Sequence, residues 1–150
     1  MNLRQVDHSA IRVTQAFTIG LLLLAFIFNA PAIAAALALV NFIGALWPQA
    51  GLFRQLYLRA LKPAGLVKPH VIADNPEPHR FSQLLGAFFV GLGLLALSLG
   101  VPALGWGLMW LVIGLASLSL FLNFCAGCFM YYQFNKLGVP GFRYSPVRKA

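Results

Sequence analysis

The chain has 150 residues, of which 60% are hydrophobic and only 9% charged. A soluble domain carries about 25% charged residues, so this composition cannot cover a water-facing surface. The formal charge of +8 accompanies no recognisable nucleic-acid reading motif, which argues against nucleic acid and for the lipid bilayer as the charge's partner.

The opening stretch, Met1 to Gln15, is polar and carries Arg4, Asp7, His8 and Arg12. The apolar run behind it is longer than a usual signal-peptide core, so it reads as a retained helix. No charged residue lies between Arg12 and Arg54, and none between Arg80 and Lys136. A membrane-spanning helix needs roughly 20 apolar residues, so each stretch has room for two crossings. The first divides at Asn29-Ala30-Pro31, because proline disfavours helical geometry in its predecessor. This predicts helices at about 13–28 and 32–47, the second stopped by Pro48 after the interfacial aromatic Trp47.

A basic connector spans 48–80. Arg54, Arg59 and Lys62 lie among Leu52, Leu56 and Tyr57, which predicts a short helix on an anionic membrane surface. Beyond Pro63 the stretch with Pro69, Pro76 and Pro78 should be extended and ordered only by contacts. The second apolar block divides at Gly100-Val101-Pro102, giving helices at about 81–99 and 103–134. The last exceeds one crossing, and Tyr131, Tyr132 and Lys136 mark its exit. The expected fold is all-α: one membrane domain over 1–150, with four transmembrane helices as two hairpins.

All 11 Lys and Arg fall in the N-terminal segment, the connector or the C-terminal tail. The positive-inside rule places those three segments together on the cytoplasmic side of a bacterial inner membrane, with both termini cytoplasmic. A short internal similarity points the same way. Arg12-Val-Thr-Gln15 and Arg80-Phe-Ser-Gln83 open the first helix of each hairpin. Each follows an acid and a histidine, Asp7-His8 and Glu77-Pro-His79. A parallel repeat would set both Arg/Gln pairs at the cytoplasmic end.

Cys125-Ala-Gly-Cys128 holds the chain's 2 cysteines. Positions i and i+3 share a helical face, so both sulfurs can reach one pocket. Disulfide exchange, a soft metal such as Cu(I) or a persulfide would all suit such a pair; small buried residues for helix packing are the structural alternative. A continuous helix over 103–134 puts the pair near a helix C-terminus, where the dipole and burial both oppose a thiolate. Nearby cations, Arg12, Arg80 and Lys136, together with His79, would have to compensate. Gly127 offers a place to break the helix and free an amide toward a thiolate.

The candidate pocket is Arg12, Gln15, His79, Arg80, Gln83 and Asn123 around the Cys pair. His8, His70 and His79 match no standard metal spacing with the cysteines, and no metal or cofactor is expected. Asp7, Asp74 and Glu77 are the only acids and are expected to pair with Arg12 or Arg80. Asn41 and Asn123 should bond across the bundle. No ionisable residue falls at the bilayer centre, which weighs against an ion pump or proton-coupled transporter.

Val6-Asp-His8 with Ile11-Arg-Val-Thr-Gln15, Gly51-Leu-Phe-Arg-Gln-Leu-Tyr57, Asp74-Asn-Pro-Glu-Pro-His-Arg-Phe-Ser-Gln83 and Phe124-Cys-Ala-Gly-Cys128 together resemble an uncharacterised family of bacterial integral-membrane proteins, a domain of unknown function. The resemblance covers nearly the full length and brings no established activity. It implies a neighbourhood of thioredoxin-like or sulfurtransferase proteins, and so thiol or sulfur chemistry. The functional expectation is a membrane thiol-redox or sulfur-handling protein. The alternatives are an accessory or scaffold subunit of a larger membrane complex or homo-oligomer, and a small transporter of a sulfur species or soft metal.

Overall fold

A computed structural model describes residues 4–142. The basic tail expected at the cytoplasmic face, with Arg143, Arg148 and Lys149, lies outside those residues, as does the chain start up to Leu3. The order is β1 (Arg4–Asp7), α1 (His8–Ile27), α2 (Pro31–Leu46), α3 (Leu52–Leu56) running into a π-helical turn (Tyr57–Leu61), β2 (Val71–Asp74), α4 (Pro76–Ser98), α5 (Pro102–Leu122) and α6 (Ala126–Lys136).

Local chemistry accounts for the boundaries. Asp7 caps α1, its side chain accepting the Ser9 N–H at 3.0 Å. The α1–α2 turn puts Asn29 in the left-handed region, φ 48°, and Gly100 does the same for α4–α5 at φ 79°. Proline opens α2, α4 and α5 in the first turn, where its missing N–H costs nothing. For that reason α4 starts at Pro76 and not near 81: Pro76 and Pro78 sit in the first helical turn, where they are tolerated, so the connector ends five residues sooner than expected.

The predicted helix over 103–134 is two helices. Asn123 adopts φ 54°, ψ 24° and ends α5, with its N–H and that of Phe124 both returning to the Leu118 carbonyl. After Phe124 and the extended Cys125, the chain re-enters a helix as α6. Apolar residues continue through the break, so hydropathy does not reveal it.

Helices α1, α2, α4 and α5 pack in a ring, each against two neighbours in that order, and α6 lies along α4. Leu22, Leu37, Val90 and Met109 are fully buried at its centre. Helices α4 and α5 meet backbone to backbone: a Cβ on Gly93 would sit 2.8 Å from the Gly105 carbonyl oxygen. The outer surface is apolar, with Leu39, Phe88, Leu95, Leu104 and Trp110 exposed. Helices α1, α4 and α5 are long and apolar enough to cross a membrane, and α2, at 16 residues, is apolar but shorter. Three apolar helices of that length, with apolar faces outward, indicate a membrane protein; they are three of the four spans expected from the sequence.

The proline-containing connector is ordered by pairing. Strands β1 and β2 are antiparallel, with Arg4 opposite Asp74 and Asp7 opposite Val71, and the His8 N–H extends the ladder to the His70 carbonyl at 2.9 Å. Helix α3 rests on α1, where Phe53 stacks on Phe17 with ring centroids 5.2 Å apart. Leu52 and Leu56 stay exposed on its other side. Tyr57 is fully buried (0% exposed), and its hydroxyl donates to Asp7 Oδ2 at 2.9 Å, so the π turn is bolted to the α1 cap. Replacing it with phenylalanine, Tyr57→Phe, removes a hydrogen bond to a carboxylate worth about 1.5–3 kcal/mol. The variant's thermal midpoint in detergent should fall accordingly; an unchanged midpoint would contradict the bolt.

Candidate functional site

The strand pairing brings β1 and β2 side by side, and with them His8, which opens α1, and Asp74, which precedes α4. The same carboxylate oxygen, Asp74 Oδ2, lies 3.1 Å from His8 Nε2 and 3.2 Å from His79 Nε2. Asp74 Oδ1 accepts the Asn75 N–H at 2.8 Å. Burial works to raise the Asp74 pKa, but the Asn75 N–H and the two imidazoles outweigh it, so the carboxyl lies below its ordinary 3.8. An ionised carboxylate only accepts, so His79 Nε2 carries the proton and, in the neutral ring, Nδ1 keeps its lone pair. That Nδ1 faces Cys128 Sγ at 3.5 Å.

Cys125 and Cys128 are joined as a disulfide, their Cα atoms 5.1 Å apart. Cys125 is the N-cap of α6, its sulfur accepting the Cys128 N–H at 3.2 Å. This corrects the expected polarity. Because α5 ends at Asn123, the pair opens a helix, and the positive end of α6 favours negative charge on a reduced Cys125 sulfur. Gly127 does not break the helix. It lets α6 touch α4, since a Cβ there would fall 2.6 Å from Ser82 Oγ and 2.7 Å from its Cα. Cys128 is buried at 7% exposure, whereas Cys125 is partly exposed.

A half-open cavity of about 920 Å³ is lined by the ring helices together with β1, α3 and the connector, and Cys125 is on its wall. Gln15, His79, Arg80 and Gln83 also line it, with Thr18 and Asn41. Arg12 and Asn123 are not part of that wall. They bond to each other at 2.6 Å on an exposed flank, where Arg12 secures the residue that ends α5. Arg80 donates to the carbonyls of Ala45 and Leu46 at 2.7 and 2.9 Å, capping α2. Gln15 donates to Ser119 at 2.6 Å, and Gln83 to Asn41 at 3.2 Å. The Arg/Gln pair of each hairpin's first helix thus bonds the second helix of the other hairpin.

The acids depart from expectation. Among the described residues the acid–base contacts are those of Asp74 with His8 and His79, and no acid pairs with Arg12 or Arg80. Asp7 serves the α1 cap and Tyr57. Glu77 Oε2 is buried without a hydrogen-bond partner. Arginine is spent on helix ends because exposed carbonyls at a C-terminus attract cations. Sequence reasoning missed Asp74 and His8 as members of the cysteine site. The signal for His8 was its place in the Asp7-His8 pair before the first helix, while Asp74 stood out only in the Asp74–Gln83 run that carries the family resemblance.

The chain belongs to DUF4395, a domain of unknown function, whose family model matches residues 6–136. No curated protein and no solved structure matches it. The DUF4395 region includes every residue named above at the site.

Two outcomes follow from the site's construction. The Asp74 pKa is depressed in the folded state, so its stabilisation is complete above 3.8 and is lost as pH falls through the lower folded value. Thermal midpoints measured from pH 5 downward should decline less steeply below 3.8 for Asp74→Asn than for the parent. Parallel curves would remove Asp74 from this role. Gly127→Val should lift α6 from Ser82 and separate Cys128 from His79. After reduction, Cys128 should then react with maleimide several-fold faster than in the parent, and an unchanged rate would show that the contact does not depend on Gly127.

Proposed function

We propose that this DUF4395 protein is a thiol–disulfide exchange protein of the bacterial inner membrane, using Cys125 as the entry sulfur and Cys128 as the resolving one. The observation that carries the reading is the Asp74–His79–Cys128 relay behind a disulfide whose other sulfur faces a cavity. Helix α2 completes four spans by tilting little or thinning the bilayer locally. The basic connector, with Arg54, Arg59 and Lys62, faces the cytoplasm, where a thioredoxin-like or sulfurtransferase protein docks on it. A disulfide in that reducing compartment fits a transient, catalytic bond and not a structural staple.

The exchange balances without a further reagent. A partner thiolate attacks Cys125 Sγ, forming a mixed disulfide, and Cys128 leaves as a thiolate that is protonated from solvent. A second partner thiolate then releases Cys125, so the partner becomes the disulfide and the chain the dithiol. In reverse, His79 Nδ1 accepts the Cys128 proton, and the thiolate attacks the mixed disulfide. Asp74 holds the imidazole in the tautomer that this requires, as the third group of a triad does.

The cavity favours a second reading, a small transporter for a sulfur species, because polar groups line a space between the helices. Uptake of a small thiol into proteoliposomes, unaffected by Cys125→Ser, would select it.

One experiment addresses orientation and chemistry together. Membrane vesicles of both orientations are reduced with an impermeant phosphine and labelled with an impermeant maleimide. Two thiols should appear in inverted vesicles and none in right-side-out ones. Disulfide formation with an oxidised thioredoxin-like protein should then be on the order of 10²-fold slower in His79→Ala. Labelling only from the outside would reverse the topology, and a His79→Ala rate equal to the parent's would remove the relay.

A further inference from the structure

Two sets of metal-ligating atoms meet at His79. His79, Cys125 and Cys128 form one, and His8, Asp74 and His79 the other; within each, the ligating atoms all lie within 4.8 Å of one another. They differ in how far their atoms are committed. Asp74 Oδ2 is already shared by two imidazoles. Its role is that of the carboxylate which fixes a ligating histidine from behind, setting the tautomer and raising ring basicity. The bare Nδ1 that results is the atom pointing at sulfur.

We propose that the dithiol form binds a single thiophilic d10 cation, Zn(II) or Cu(I), through Cys125 Sγ, Cys128 Sγ and His79 Nδ1. Two thiolates and an imidazole are the donors such ions select. A Cys-x-x-Cys at the first turn of a helix turns both sulfurs to one side, and the Cα separation of 5.1 Å suits convergence on one ion. The wall position of Cys125 leaves a fourth coordination position open to the cavity, where water or a substrate thiol can complete a tetrahedral Zn(II). Both sulfurs are consumed by the disulfide, so the metal-bound and oxidised states exclude each other. Each thiol gives up its proton when the ion binds, and no electron is transferred. This site does not depend on the exchange activity above, since it asks only that the dithiol form exists.

The full-length protein, purified in detergent, is reduced, freed of reductant and titrated with Zn(II) and, separately, Cu(I), each against a chromophoric chelator. One equivalent of at least one ion should bind to the reduced protein and none to the oxidised protein. Asp74→Asn should weaken binding 10–100-fold, as loss of an outer-shell partner does. His79→Ala should weaken it at least as much, and Cys125→Ser and Cys128→Ser should abolish it. Far-ultraviolet circular dichroism of each variant identifies any that fail to fold, and the His79→Gln variant then replaces His79→Ala. Failure of the reduced parent to bind either ion, or binding that survives both Cys→Ser changes, overturns the site. Disulfide exchange measured on the same metal-free samples separates the two readings: exchange without metal binding sinks only this site, and binding without exchange sinks only the redox function.

Discussion

One carboxylate oxygen holds the polar end of this molecule together. Asp74 Oδ2 is shared by the histidine that opens α1 and the histidine in the first turn of α4, so the two hairpins are tied at the polar N-terminal ends of those helices. The arrangement is possible because β1 and β2 pair in a register that sets Arg4 against Asp74. In a chain with three acidic residues among eleven lysines and arginines, this acid is committed to imidazoles and not to guanidinium groups. Uncharged imidazole can give and take a proton, which permanently cationic arginine cannot do. One of those imidazoles, His79, also lies 3.5 Å from Cys128 Sγ, so the tie reaches the cysteine pair.

Polarity is handled by exchange between the two halves of the bundle. Arg12 and Gln15 of α1 reach Asn123 and Ser119 at the end of α5, while Arg80 and Gln83 of α4 reach the Ala45 carbonyl and Asn41 side chain at the end of α2. The short Arg-x-x-Gln similarity therefore marks a repeat in bonding as well as in residues. In an apolar medium an unpaired donor costs several kcal/mol, so such cross-bonds define which helices are neighbours more sharply than apolar packing can. The consequence for the site is positional: Arg12 and Arg80 hold helix ends, and His79 is left beside the cysteines.

The thiol pair acquires its character from a break in a helix. Asn123 in the left-handed region ends α5, Cys125 becomes the cap of α6, and Gly127 lets α6 settle on Ser82 so that Cys128 comes beside His79. Three small departures from a continuous apolar helix, an asparagine, a cap and a glycine, thus reverse the electrostatic environment of the sulfurs.

Much of the architecture was legible in residue order. Long uncharged runs, the punctuation at Asn29-Ala30-Pro31 and Gly100-Val101-Pro102 and the paired thiols are local features, and local features announce hydrophobic helices, turns and candidate chemistry. The break after Leu122 was not legible, because the apolar pattern continues through Phe124 and only the backbone at Asn123 changes hand. Nor could residue order bring Asp74 to His8, 66 positions away, or His79 to Cys128, 49 away. Those contacts arise from strand register and helix packing, which depend on the whole chain closing into a ring. Sequence alone therefore determined the solvent this protein prefers and the atoms it has available, and tertiary structure decided which of those atoms meet.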